Sequence, residues 1–235
     1  MDPRHSTLLE AAARFYTCVD PFSRRFARGK LRHDPVFAAL LRLGCLPDRG
    51  VLADLGCGRG LLLALIAAAR DQFREGAWPA GWPPPPSGLS LEGYEINERH
   101  AAVARQALDG RAQVALGDLR EVILPRCSSA ALLDVLFYLS PDEQLQVLQR
   151  ATDALEPGGV LLLREADAAR GLAFRVTRWS EQALETLRGR PFRPLHYRSA
   201  REWAALLESL GLSVRAVAMS DGTPFANVLF VCRKP

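Results

Sequence analysis

Asp54 is followed by glycines at 56, 58 and 60 in the run Val51-Leu-Ala-Asp-Leu-Gly-Cys-Gly-Arg-Gly60, set between an apolar stretch and the helical-looking Leu61–Arg70. Glycines so spaced let the main chain turn without a Cβ clash. They also bring a ligand against the backbone, where the next helix offers unpaired N–H groups. Strand, tight turn and helix therefore form a cradle for a nucleotide-like ligand. The spacing is not that of the dinucleotide fingerprint G-x-G-x-x-G, and a carboxylate two residues before the first glycine repels a pyrophosphate but attracts an ammonium or a sulfonium. S-adenosylmethionine (SAM) carries both of those cations and no phosphate.

On Asp54-x-Gly56-x-Gly58-x-Gly60, and again on Leu155-x-Pro-Gly-Gly-x-Leu161, the chain resembles the class I SAM-dependent methyltransferases. The resemblance implies an α/β, Rossmann-like sheet of seven mostly parallel strands with an antiparallel last strand. Helices would cover both faces, and SAM would leave as S-adenosylhomocysteine. It places the cofactor on Asp54, Gly56, Cys57, Gly58 and Gly60. Glu95, at the end of the predicted strand Leu89–Ile96, can accept from two ribose hydroxyls at once, with Ile96 beside it. Asp118 and Leu119 follow the short strand Ala112–Leu116, and the resemblance gives Asp118 the adenine amino group, although an Asx-turn would put the same residue there.

The elements that must position these residues follow from periodicity and breakers. Ser6–Val19 and Phe22–Leu43 read as helices ahead of the first core strand, with Pro21 and Pro35 where new helices begin. This helical extension, residues 1–48, precedes a SAM-binding domain over 49–235. In the resembled family such an extension often folds over the cofactor, so Tyr16, Phe22, Arg25, Phe26 and Lys30 are lid candidates, Tyr16 toward the cofactor and Phe26 toward the substrate. Residues 75–88 hold Pro83–Pro86, which can enter neither a helix nor an inner strand, and read as a stiff surface insertion. Asn97 caps a helix over Glu98–Leu108. Ala130–Leu139 reads as a buried strand whose lone charge, Asp134, is costly to bury unpaired and so belongs at the carboxyl end facing the cofactor, with Phe137 and Tyr138 beyond it. Ser140-Pro-Asp-Glu143 and Ser199-x-x-Glu202 are capping boxes opening two helices. Between them lie the strand Val160–Leu163 and a segment, 168–198, that lines the substrate pocket in the family. Its aromatics are Phe174, Trp179, Phe192 and Tyr197, with His196 among them. Leu212–Met219 and Phe225–Arg233 form a closing hairpin.

Composition bounds the setting. A chain of 235 residues can bury one sizeable core. Five scattered cysteines without a Cys-x-x-Cys pair give neither a disulfide framework nor a metal site. With no signal-like start and no long apolar run, a cytoplasmic protein without a membrane span is expected. The charge of +4 comes almost wholly from arginine, with denser basic patches at Arg24–His33 and Arg188–Arg201 that suit an acidic partner.

Methyl transfer mainly requires the nucleophile to be held in line with the C–S bond. A phenolic acceptor adds the need for a base, for which His196, Glu165 and Asp167 are candidates. The chain lacks Asn/Asp-Pro-Pro-aromatic after the fourth strand and has no metal-holding cluster, which disfavours nucleic acid and catechol-type acceptors. Three further stretches, Phe26–Phe37, Leu162–Asp167 and Gly222–Asn227, are similar to methyltransferases of bacterial aryl polyene and xanthomonadin-like pigment pathways. That similarity implies a hydroxyaryl acceptor in secondary metabolism, free or on an acyl carrier protein. An RNA methyltransferase and a SAM-binding sensor or partner subunit without catalysis are the alternatives.

Overall fold

The computed structural model describes residues 3–187, 194–220 and 222–235. Its centre is a seven-stranded sheet in the order β3-β2-β1-β4-β5-β7-β6. The strands are β1 (Arg49–Leu55), β2 (Gly88–Glu95), β3 (Gln113–Leu116), β4 (Cys127–Leu133), β5 (Leu155–Ala166), β6 (Ser213–Ala218) and β7 (Asn227–Arg233). β1 to β5 run parallel, and β7 is antiparallel to both of its neighbours. The chain builds outward from β1 to β3, then returns across β1 to lay down β4. That reversal opens a crevice at the carboxyl ends of β1 and β4, where open α/β sheets take their ligands.

Helices cover both faces. α1 (Pro3–Arg14), α2 (Pro21–His33), α3 (Pro35–Leu43) and α4 (Leu61–Arg74) bury Leu8, Leu31, Leu40 and Ile66 in one core with Leu52 and Leu162. On the other face, α6 (Pro141–Ala154) and α8 (Ala200–Ser209) bury Leu148, Trp203 and Leu207 against Ala130, Leu161 and Phe230. α5 (Glu98–Ala107) follows β2, and α7 (Gly171–Leu187) follows β5.

The breakers act as expected. Asp20 and Asp34 cap α2 and α3 with proline at the first helical turn, Asn97 Oδ1 accepts from the His100 N–H at 3.1 Å, and both predicted capping boxes are closed.

One expectation needs correction. The fourth strand ends at Leu133, so Phe137 and Tyr138 lie in a 3-10 turn beyond it, not in the strand. Residues 171–187, inside the expected pocket segment, form α7. The proline-rich insertion is anchored by its own contacts: Trp78 is buried, its Nε1 donates to the Pro83 carbonyl at 3.1 Å, and Arg4 donates to the Trp78 carbonyl at 3.0 Å. Phe192 and the first six residues of the Arg188–Arg201 patch lie outside the described residues. No described helix is long and apolar enough to cross a membrane, and among the described residues no group of His, Cys, Asp and Glu is placed to hold a metal.

Candidate active site

The glycine-rich turn is held from beneath. Gly56 N–H and Cys57 N–H both donate to the Tyr94 carbonyl at 2.8 and 3.0 Å, and Gly60 N–H donates to the Cys57 carbonyl at 2.8 Å. Gly56 has φ +78 and a Cβ there would stand 2.6 Å from Val135 Cγ2, so both backbone and space demand glycine. Gly58, at φ +56, has nothing within 4 Å of the same point, leaving its face open to a ligand.

Asp54 ends β1 beneath this turn and is 3% exposed, yet it lines a cavity of ≈ 1230 Å³. Among the described residues no hydrogen bond or ion pair reaches its carboxylate. Burial, and then the charge of Glu95, push its pKa up to about 7. A buried carboxylate aimed into a cavity without a cation of its own fits a cationic ligand. Glu95 stands just behind the wall, its two oxygens accepting from Gly58 N–H at 2.8 Å and Asn97 N–H at 2.7 Å. One N–H per oxygen leaves lone pairs for hydroxyl donors. Cys57 and Ile96 line the cavity; burial, and then Asp54 and Glu95, raise the Cys57 thiol far above its usual range.

α2 closes the cavity's other side. Arg59, between two of the glycines, stacks its guanidinium 5.1 Å from the Phe22 ring centroid and 4.8 Å from that of Phe26, and donates to Ser23 Oγ at 3.1 Å. Tyr16 is fully buried and faces no cavity; its hydroxyl donates to the Arg59 carbonyl at 2.8 Å, so it braces the turn from behind.

A smaller cavity of ≈ 320 Å³ adjoins the first, and Lys30, Asp34, Asp134, Phe137 and Arg164 line both. The four charged residues among these form an ion cluster. Arg164, 3% exposed at the end of β5, grips both oxygens of Asp34 at 2.6 and 2.7 Å and reaches Asp134 at 2.9 Å. Lys30 joins Asp34 at 2.8 Å and Asp134 at 3.8 Å. Burial alone would raise Asp34, but Arg164 and Lys30 outweigh it and hold the carboxyl below its usual range. Asp134 sits at φ 59, a left-handed conformation rare outside glycine and enriched where function holds it. Tyr197 stacks on Phe137 at 5.2 Å and meets Phe174 edge-on at 5.0 Å, walling the smaller cavity. Phe26 and Tyr138 line the larger one.

Several expected site residues are placed elsewhere. Asp118 lines neither cavity: its Oδ1 accepts from Arg120 N–H at 2.9 Å, closing an Asx-turn, and its carboxylate is engaged by the Arg120 side chain at 2.5–3.0 Å. Leu119 is likewise outside, its carbonyl accepting from Arg150 at 3.1 Å. None of the three expected bases lines either of these two cavities. Glu165 is 1% exposed on the opposite face of β5 from Arg164, accepts from Leu136 N–H at 2.8 Å, and is held well above the usual carboxylate range by burial and by Asp134. Asp167 Oδ1 is spent on Ala169 N–H at 3.0 Å and Ala200 N–H at 2.9 Å. His196 contributes its backbone, donating to Phe137 O at 2.8 Å and accepting from Gln144 at 2.9 Å. The sequence reading missed Asp34, Arg59 and Arg164 as site residues. Strand alternation was the available signal for Arg164, since residues 164 and 166 must share the face opposite 165 and 167.

A methyltransferase-domain family model matches residues 24–217. The carboxy-S-adenosyl-L-methionine synthase of Chromohalobacter salexigens is 31% identical over 117 residues, 48% of this chain and 38% of that protein, so the match spans well under half of the relative's length. Among solved structures, an O-methyltransferase family protein from Burkholderia thailandensis superposes with TM-score 0.62 at 17% identity, covering 94% of this chain and 61% of that one. Magnesium protoporphyrin IX methyltransferase from Synechocystis PCC 6803, with bound SAH, gives TM-score 0.60 at 19% identity, covering 94% and 92%. The two structural likenesses carry the fold, and the family model carries the assignment: the chain belongs to the methyltransferase-domain family, whose members of this fold use SAM.

Proposed function

We propose that the chain moves a methyl group from SAM to the hydroxyl of a small aromatic acceptor, the cofactor lying in the larger cavity and the acceptor in the smaller. The observation that carries this reading is convergence. The three stretches that resemble pigment-pathway methyltransferases lie far apart in sequence, yet each supplies the smaller cavity: Lys30, His33, Asp34 and Pro35 from the first, Arg164 and Ala166 from the second, Thr223, Phe225 and Asn227 from the third. An acceptor carried as a thioester on an acyl carrier protein belongs to the same reading.

Asp54 would hold the cofactor's cationic portion, Gly58 would let it lie against the backbone, and Glu95 would take the ribose hydroxyls. Bound SAM supplies an electrophilic methyl on a positively charged sulfur. The protein's part is to align the acceptor oxygen with that methyl through the passage the two cavities share. There Asp134 orients the hydroxyl and takes its proton as the new O–C bond forms, while the electrons of the broken C–S bond return to sulfur. Lys30 faces the charge developing on the phenolic oxygen.

The test is incubation of the purified chain with labelled SAM and a panel of hydroxybenzoates and their esters, free and carrier-linked, with bulk RNA alongside, read by intact mass. Label on a phenol supports the reading. Label on RNA alone, or none on any acceptor despite measured SAM binding, overturns it.

A further inference from the structure

We infer that the smaller cavity selects a single aromatic ring bearing a neutral acyl substituent, an ester, amide or thioester, and that Asn227 is the residue that reads it. The inference rests on the methyl-transfer reading above and adds the chemistry of the acceptor's far end.

Register fixes the geometry. β5 and β7 pair with Ala166 opposite Asn227, so the two side chains share one face of the sheet, the face on which Arg164 also stands. Ala166 leaves room there, and Asn227 forms part of the cavity lining. Asn227 is 8% exposed, and among the described residues its side-chain amide makes no hydrogen bond. Its backbone carbonyl is spent on Met219 N–H at 2.9 Å, but the amide itself has only the cavity to turn to. An amide open to the cavity and without a protein partner is available to a ligand, and a carbonyl acceptor would take its N–H.

Charge decides between neutral and acidic ligands. Arg164 is shared between Asp34 and Asp134, and Lys30 between the same two carboxylates. The cations of the wall are thus already matched by anions, and His33, the remaining basic side chain lining it, is exposed to solvent. A free carboxylate would be desolvated without a new cation to meet it, whereas a neutral carbonyl needs only the Asn227 N–H. A volume of ≈ 320 Å³ lies at the small end of ligand cavities and suits one ring beside the Phe137–Tyr197 stack. Asp134 and Lys30 line both cavities and Asn227 only the smaller. The reacting hydroxyl therefore stands at the passage and the acyl group at the far end.

The experiment compares methyl 4-hydroxybenzoate, 4-hydroxybenzoate and 4-ethylphenol, with their 3-hydroxy isomers, on the wild-type chain and on Asn227→Leu, with SAM binding followed separately by calorimetry. The wild type is expected to favour the ester over both the acid and the ethylphenol by at least about tenfold in kcat/KM. Asn227→Leu should bring the ester-to-ethylphenol ratio to about one through KM, with SAM binding retained. An acid as good as the ester, or a preference that survives Asn227→Leu, overturns the inference. Ester binding in the presence of S-adenosylhomocysteine, read by ligand-observed NMR, separates the two levels. Should no phenol be methylated while the ester still binds and Asn227→Leu abolishes that binding, the acceptor chemistry of this cavity stands and the methyl-transfer reading falls. Absence of ester binding to the wild type sinks the assignment of the cavity.

Discussion

Asp54 and its neighbour Glu95 are two carboxylates brought close together beneath a backbone turn, and one of them bears the cost. With its pKa up to about 7 against an ordinary 3.8, Asp54 is partly protonated near neutrality in the free protein. The sign follows: folding favours its acid form, so its contribution to stability is full below the unfolded value and is lost as pH rises through about 7. A bound cation favours the carboxylate instead. SAM affinity should therefore rise as pH climbs from about 6 to about 8, with proton uptake by the buffer on binding, and Asp54→Asn should weaken binding and flatten that slope. Calorimetry in buffers of different ionisation enthalpy checks both; an unchanged slope in the variant would count against the cationic-ligand assignment. Arg164 gives a different expectation. Removing a guanidinium that is 3% exposed leaves Asp34 and Asp134 facing each other with only Lys30, so Arg164→Leu should cost about 3–5 kcal/mol in urea unfolding. At this scale the glycine-rich wall of the larger cavity was legible, because Asp54 and the glycines are fixed by local backbone chemistry. The lining of the smaller cavity was not. His196 and Glu165 have the right chemistry for a base, but strand pleat and loop path turn them away, while Asp34 meets Arg164 across 130 positions of sequence that no local pattern spans.

α2 links the two cavities as a single element. Near its start, Phe22, Ser23 and Phe26 hold Arg59 of the glycine-rich turn; at its end, Lys30 meets Asp34 and Asp134. Arg59→Ala removes two cation–π contacts of about 0.5–1 kcal/mol each and one charged hydrogen bond. It should raise the KM for SAM several-fold and speed proteolysis within residues 21–33 in the absence of cofactor, both measurable on the folded protein. Retention of wild-type proteolysis would show that the contacts do not hold the helix down. The elements themselves were readable wherever a cap or a proline marks them: Asp20-Pro21, Asp34-Pro35, Ser140-Pro141 and Ser199 each open a helix as expected. α7 escaped because its apolar residues do not follow the core. Leu172 and Trp179 are 77% and 76% exposed, and among the described side chains of the helix Thr177, a polar residue, is the buried one, with Oγ1 accepting from Ala226 N–H at 3.1 Å. Hydrophobic periodicity reports burial, so a helix that leaves such residues in solvent gives no clean stripe.

Across the whole molecule, the sheet order makes the last strand central to the C-terminal half of the fold. The family model ends at residue 217, but β7 begins at Asn227 and inserts between β5 and β6. Its Leu229, Phe230 and Cys232 are fully buried, with Leu229 packed in one core and Phe230 and Cys232 in the other. β6 pairs with β7 alone, so without β7 it has no place in the sheet, and β5 presents a bare, apolar edge. Arg164 and Ala166 would lose the wall that Asn227 completes, and α7 would lose the backbone N–H that Thr177 accepts. A chain ending at Ala218 keeps every residue of the glycine-rich cradle, so if the cofactor half folded independently it would still bind SAM. The expectation is the opposite: because both cores run through β7, the truncated chain should show no cooperative thermal transition and no SAM binding, and should aggregate through the exposed edge of β5. Circular dichroism melting and calorimetry on the two lengths decide between a modular cradle and a sheet that holds its site only when closed.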